Sequence, residues 1–196
     1  MKLINVATTV ALLASSAHGQ KALEWNEPTS GVTYGLAVPE AASAPFDVLL
    51  SIVAPAKAGW VGWAAGGCML RSPILVAWPN GNTTVVSSRW ANAYHPPAPY
   101  NGTSTKVFAS SSTRNETHWK VSVLCSGCSQ WVGGEVNSHG NATFGWGVSS
   151  HAVDTPASAS SAIRFHDVGK GHFELDMNKA RLSKDDFGAL VKSLGG

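Results

Sequence analysis

The chain has 196 residues, 13% of them charged and 44% hydrophobic, with a formal net charge of +2. So small a charge, with no basic cluster and no basic stripe interleaved with aromatics, argues against nucleic acid as a partner. Eight Trp, twenty Gly and ten Pro, with little helical periodicity, point to an all-β body, and the length suits one domain with a sizeable core.

From the start, Lys2 precedes an apolar run from Leu3 to Leu13, then Ala17-His18-Gly19 stand before Gln20. Residues 1–19 read as a secretory signal peptide, too short to span a membrane. Residues 20–196 are therefore expected to be one secreted, extracellular domain without a membrane anchor. Sequons beginning at Asn82, Asn101, Asn115 and Asn141 all lack a central Pro and suit an exposed surface in the secretory pathway.

Residues 32–38 place large apolar side chains at every second position and end at Pro39, as a half-buried strand does. A second strand is expected over 46–53, closed by Pro55. Two apolar segments, 60–65 and 74–78, flank the turn-like Gly66-Gly67-Cys68-Met69, where a Gly pair allows unusually close backbone approach. Pro79-Asn80-Gly81-Asn82 reads as a turn into a strand over 83–88, making a hairpin beside Met69. Residues 94–100 contain Pro96, Pro97 and Pro99 and so predict an ordered surface loop, whose Tyr94 and Tyr100 could line a site.

Trp119, Val121, Val123 and Cys125 alternate with His118, Lys120, Ser122 and Leu124, predicting a strand that leaves His118 and Lys120 mainly in solvent. Residues 143–148 predict a short strand, and the Ser/Ala/Pro-rich stretch 155–162 a loop, functional or mobile. A last strand is expected over 173–176. Ser183 then opens a short amphipathic helix through Phe187, Leu190, Val191 and Leu194.

Candidate chemistry is sparse. No G-x-S-x-G element marks a nucleophile and the carboxylates form no acid–base motif. Cys125-Ser126-Gly127-Cys128 lacks the second ligand pair that zinc needs and the following His that c-type haem attachment needs. A structural disulfide closing a tight loop is the better reading. Cys68 is then the odd cysteine, expected to be reduced, buried and packed as a small apolar group. The Met69 thioether is either core filling or a soft ligand for iron. His166 and His172 lie in the Gly-containing segment 165–172; as isolated residues they read as loop or surface histidines.

The stretch GWVGWAAGGCML-x3-ILVAW-x-NGN, then SSRWANAY, HWKVSVLCSGCSQW and a His before the last strand resemble, in that order, the haem b cytochrome domain of fungal cellobiose dehydrogenase. The resemblance runs from about Trp25 to Asp176. It implies an antiparallel β-sandwich of the DOMON type, with the short helix at its C-terminal end. It also implies a noncovalent haem b with Met69 and His166 as axial ligands, a Cys125–Cys128 disulfide, and Tyr94 near a haem propionate. The segment from His166 to Asp176 is about one residue longer than the family pattern, which keeps His172 as a rival ligand. With the sequence ending after its helix, no attached flavin domain or cellulose-binding module is expected.

With both axial positions filled, the resemblance implies a one-electron carrier rather than an enzyme, with at most a weak ferric reductase activity. The donor would be an extracellular flavin- or quinone-dependent sugar dehydrogenase or a small reductant. The acceptor would be a lytic polysaccharide monooxygenase or ferric ion. The competing reading is a haem-free sandwich that binds carbohydrate on a platform of Trp25, Trp90 and Trp131.

Overall fold

The structure, a computed structural model, describes residues 21–41 and 43–195. The signal-peptide assignment lies outside the described residues. In chain order the strands are β1 (Leu23–Asn26), β2 (Thr33–Pro39), β3 (Val48–Pro55), β4 (Trp60–Ala64), β5 (Ile74–Asn80), β6 (Thr83–Trp90), β7 (Ala98–Pro99) and β8 (Ser104–Val107). After them come β9 (Thr113–Arg114), β10 (His118–Ser126), β11 (Gln130–Trp131), β12 (Gly134–Glu135), β13 (Asn141–Ser149), β14 (Gly169–Asp176) and β15 (Arg181–Leu182). Helix α1 (Met177–Ala180) precedes β15 and helix α2 (Lys184–Ser193) follows it.

The strands form an antiparallel β-sandwich. One sheet runs β1-β2-β3-β10-β8, with β9 also on β10 and β15 joining β2 in parallel. The other runs β14-β13-β4-β5-β6-β7, antiparallel throughout. Between the sheets, Tyr34, Leu36, Leu50, Ile52, Val121 and Val123 of the first meet Val61, Trp63, Leu75, Ala77, Phe144 and Phe173 of the second. The Tyr34 hydroxyl donates across this core to the Gly62 carbonyl at 3.2 Å.

Residues 60–78 are almost uniformly apolar because the second sheet is covered on both faces. Val61, Trp63, Leu75 and Ala77 point into the sandwich, whereas Trp60, Ala64, Ile74, Val76 and Trp78 form a separate buried cluster with Val153 and Ile163. That second cover is the 150–168 segment, whose Ser/Ala/Pro-rich part is pinned in place. Trp78 Nε1 donates to the Pro156 carbonyl at 2.8 Å and Ser87 Oγ to the Ala159 carbonyl at 2.5 Å. The outer face of the first sheet is covered by α2, whose Phe187 packs with Ala37, Leu49, Phe108 and Leu182. Ser183 Oγ caps that helix by accepting from the Asp186 amide at 3.1 Å.

Element boundaries depart from the sequence reading in a few places. The second strand starts at Val48 and runs through Pro55. The proline-rich loop contributes Ala98–Pro99 to an edge pairing with Arg89 and Trp90, where proline is tolerated because no further strand needs its missing N–H. The last strand begins at Gly169, so His172 lies within it rather than before it. Cys125 and Cys128 form the expected disulfide, with Cα atoms 5.7 Å apart. His118 and Lys120 are exposed, as their alternation predicts.

Candidate functional site

The outer face of the second sheet carries a cleft. Two adjacent cross-strand rows form its floor: Lys170, Gly147, Gly62, Val76 and Ser87 in one, and His172, Gly145, Ala64, Ile74 and Arg89 in the next. Directly paired residues share a face, so Gly147, Gly62, Gly145 and Ala64 leave the middle of the floor bare of side chains larger than a methyl group. Above it is a cavity of about 620 Å³, lined mainly by apolar groups and within the range of small-molecule and cofactor pockets.

Met69 enters this cleft from the β4–β5 turn. It is half-buried and packs against the cluster containing Trp60, Ile74, Val76 and Ile163. The glycine pair before it has a visible job. Gly67 adopts φ +79°, a left-handed conformation that suits glycine, and its backbone lies so close to β13 that a Cβ on Gly145 would come within 3.0 Å of the Gly67 carbonyl. A Cβ on Gly66 would meet Ser72 Cβ at 2.7 Å. Two bare backbones touching thus set where Met69 can be.

His166 comes from the covering segment. The Asp167 amide donates back to the Phe165 carbonyl at 3.0 Å, which makes His166 the centre of a tight three-residue turn. Both flanks of that turn are fastened to the end of β13. Ser149 Oγ lies 2.8 Å from the Phe165 carbonyl and 2.8 Å from Asp167 Oδ1. The Ser150 amide and hydroxyl donate to the same carboxylate at 2.9 and 2.5 Å. These bonds, the Ser150 and Ser149 hydroxyls first, hold the Asp167 carboxyl well below the usual carboxylate range.

The His166 ring sits over Gly147, where an added Cβ would be 3.6 Å from the imidazole. It is flanked by Phe165 at 4.1 Å and, edge-on, by Trp60 at 6.4 Å between centroids. Burial pushes the imidazole below its ordinary pKa, and the Lys170 charge adds to that, so the ring is neutral at pH 7 with a lone pair available to a metal. Among the described residues its buried Nδ1 has no hydrogen-bond partner.

The cleft also gathers Tyr94, His172 and Cys68, but not Tyr100, which stacks on Trp90 instead. Tyr94 stands at the rim, 81% exposed, beside His95. His172 also lines the cleft, from β14, and is exposed where His166 is half-buried. Cys68 is free, as expected, yet exposed rather than buried. It falls in the turn beyond β4, outside the two-sided cover that buries the strand, and it borders the cleft beside Met69. The sequons at Asn82, Asn101, Asn115 and Asn141 all begin at exposed residues.

Trp25, Trp90 and Trp131 are each engaged by the protein's own groups. Trp25 stacks on Phe173 at 4.2 Å, Trp90 stacks on Tyr100 at 4.9 Å, and Trp131 covers Gly134. Among the described residues, no group of three or more His, Cys, Asp or Glu is placed to hold a metal ion, and no helix is long and apolar enough to cross a membrane.

A bare apolar floor suits a planar macrocycle, and a thioether and a neutral imidazole entering from separate segments suit its iron. The residues present therefore fit haem b. Sequence reading missed the floor itself, although Phe144-Gly145-Trp146-Gly147-Val148 carries its signal: glycine at every second position of a strand leaves one face empty.

Comparison with known proteins agrees with this geometry. The model of the cytochrome domain of cellobiose dehydrogenase matches residues 16–186. A pyrroloquinoline quinone-dependent pyranose dehydrogenase of Coprinopsis cinerea is 29% identical over 204 aligned positions, covering 95% of this chain but 28% of that enzyme's length. The crystal structure of the cytochrome b domain of pyranose dehydrogenase from the same organism superposes with a TM-score of 0.79 at 30% identity, covering 85% of this chain and 87% of that one. The cytochrome domain of Myriococcum thermophilum cellobiose dehydrogenase shares the fold, with a TM-score of 0.74 at 24% identity over 88% of this chain and 96% of that one. This chain belongs to the family of cellobiose dehydrogenase cytochrome domains.

Proposed function

We propose that the chain is a secreted electron carrier that holds a noncovalent haem b between Met69 and His166. The observation that carries the reading is the glycine-floored apolar cleft with a thioether and a neutral imidazole in its lining. When bound, haem b supplies a one-electron iron couple, and a methionine ligand favours its ferrous form relative to a bis-histidine site. Met69 and His166 would both hold the iron, which would leave it no coordination site for substrate. Trp60, Ile74, Val76 and Ile163 exclude water from the Met69 side, the Asp167 anchor fixes the angle at which His166 enters, and Tyr94 at the rim would meet a propionate.

The donor proposed is an extracellular flavin- or quinone-dependent sugar dehydrogenase or a small reductant, and the acceptor a lytic polysaccharide monooxygenase or ferric ion. Support for the donor is that the pyrroloquinoline quinone-dependent pyranose dehydrogenase of Coprinopsis cinerea contains a region matching this chain. Four exposed sequons and a disulfide support extracellular residence.

The visible spectrum of the protein expressed with ample haem tests the reading. A low-spin Soret spectrum is expected in the wild type. His166→Ala should weaken haem retention or give a high-spin spectrum, His172→Ala should leave the low-spin spectrum intact, and Met69→His should keep haem while lowering the potential. Reversed histidine results would make His172 the ligand, and a wild-type protein without a Soret band would overturn the carrier reading.

A further inference from the structure

Arg89 is 3% exposed and, among the described residues, has no carboxylate within ion-pairing distance. A buried charge of this kind is costly unless its donors are satisfied. Here they are met by neutral groups. Nε donates to Ser87 Oγ at 2.6 Å and Nη1 to the Pro97 carbonyl at 3.2 Å. Nη2 donates to the Ala159 and Ser161 carbonyls at 2.9 and 2.7 Å. Burial lowers its pKa, yet a guanidinium stays protonated in proteins.

The location gives this arrangement its meaning. Arg89 is paired with Ile74 in the row that continues through Ala64 and Gly145, so it stands on the cleft-floor face, one strand spacing of about 4.8 Å from a residue that lines the cleft. The carbonyls it grips belong to two different walls. Pro97 lies in the loop that carries Tyr94 and His95. Ala159 and Ser161 lie in the segment that continues through Ile163 to His166. Those walls are far apart in sequence and meet on one planar, five-donor group, which a lysine could not replace bond for bond.

We propose that Arg89 is the positioning residue of the cleft: one buried guanidinium holds both walls in register, and its charge, neutralised by no carboxylate, favours the reduced state of the cofactor between them. The second half rests on the haem reading. Ferric haem carries one more positive charge than ferrous haem, so a fixed cation beside the cleft disfavours the oxidised state, and the low-dielectric surroundings screen it little. The first half concerns the polypeptide alone.

Arg89→Met and Arg89→Lys, each compared with wild type, test both halves by amide hydrogen exchange and by spectroelectrochemical titration of the holoprotein. Arg89→Met should speed exchange in residues 94–99 and 155–162 together and reduce the ferrous-to-ferric ratio several-fold at a fixed potential; each tenfold change corresponds to about 59 mV for one electron. Arg89→Lys keeps the charge but loses the fork, so it should loosen both segments while staying close to the wild-type potential. Exchange that changes in neither segment, or in only one, overturns the positioning role, and an unchanged potential in Arg89→Met overturns the electrostatic role. Where Arg89→Met fails to fold, exchange in Arg89→Lys decides the positioning role, and a potential in that variant far from wild type overturns the electrostatic one. A wild-type protein lacking a Soret band would sink the haem reading separately, leaving the exchange result to stand or fall by itself.

Discussion

Gly145→Ala is a substitution that touches neither proposed ligand and yet should reach Met69. The new Cβ would stand 3.0 Å from both the carbonyl carbon and oxygen of Gly67 and 3.1 Å from the Cys68 amide nitrogen. All three are backbone atoms, so no side chain can swing aside, and ordinary contact is restored only if the turn carrying Met69 moves outward by a few tenths of an ångström. Overpacking of this kind costs about 1–3 kcal/mol. Replacing glycine in a strand returns roughly 0.5–1 kcal/mol of backbone entropy, which leaves a net loss of about 1 kcal/mol. A domain of this size should then melt about 2–4 °C lower. Thermal unfolding followed by circular dichroism reads the stability, and the spectrum of the haem-loaded protein reads the displacement as weaker low-spin character. A variant at least as stable as wild type, with an unchanged spectrum, would refute the idea that contact between β13 and the glycine pair positions Met69.

Other substitutions separate the scaffold from the site. Trp119 is fully buried and its Nε1 donates to the Ala58 carbonyl at 3.0 Å, so Trp119→Ala should cost about 3–5 kcal/mol in a denaturant titration; a loss below about 1 kcal/mol would contradict its role in the core. Ser183→Ala removes the cap of α2 and should cost about 1 kcal/mol, measured in the same way, with no effect on cofactor spectra. Asp167 carries the pH prediction. Its folded-state pKa is depressed, so its contribution is in place above the ordinary carboxylate pKa and is lost as pH falls through the folded value. The turn holding His166 should therefore stay docked through mildly acidic conditions and release only in strong acid, as read from the environment of the Ser149 and Ser150 hydroxyls and amides by NMR; release already at about pH 5 would contradict the anchoring.

Much of the fold was written locally. Alternation in 32–38 and 118–125 and the capped helix after Ser183 each depend on neighbours within a few residues and are found where the pattern put them; the hairpin turn before Thr83 is also found, although β5 runs on through Pro79 and Asn80 and leaves only Gly81-Asn82 to it. The cysteine pair closes over a sequence separation of three, so proximity along the chain was enough to propose it. Met69, His166 and Tyr94 came forward through resemblance, since a methionine after two glycines and a histidine in a loop mean little in isolation.

The cleft belongs to the tertiary structure. Its floor exists because register sets Gly147 against Gly62 and Gly145 against Ala64, a pairing between strands more than 80 residues apart that no local pattern encodes. Cys68 was misjudged for a related reason: a small residue beside an apolar strand looks buried, but the cover of β4 and β5 ends at the turn and leaves the thiol exposed. Arg89, in a sequence, is an ordinary charged residue in an alternating strand. Only when the 155–162 segment folds over β6 does its charge lose water and gain four protein acceptors. Local sequence determined which strands could form and which side of each was apolar; long-range register and the segment laid across the second sheet decided where a cofactor could lie, because a binding surface is made by residues whose neighbours in space are not their neighbours in the chain.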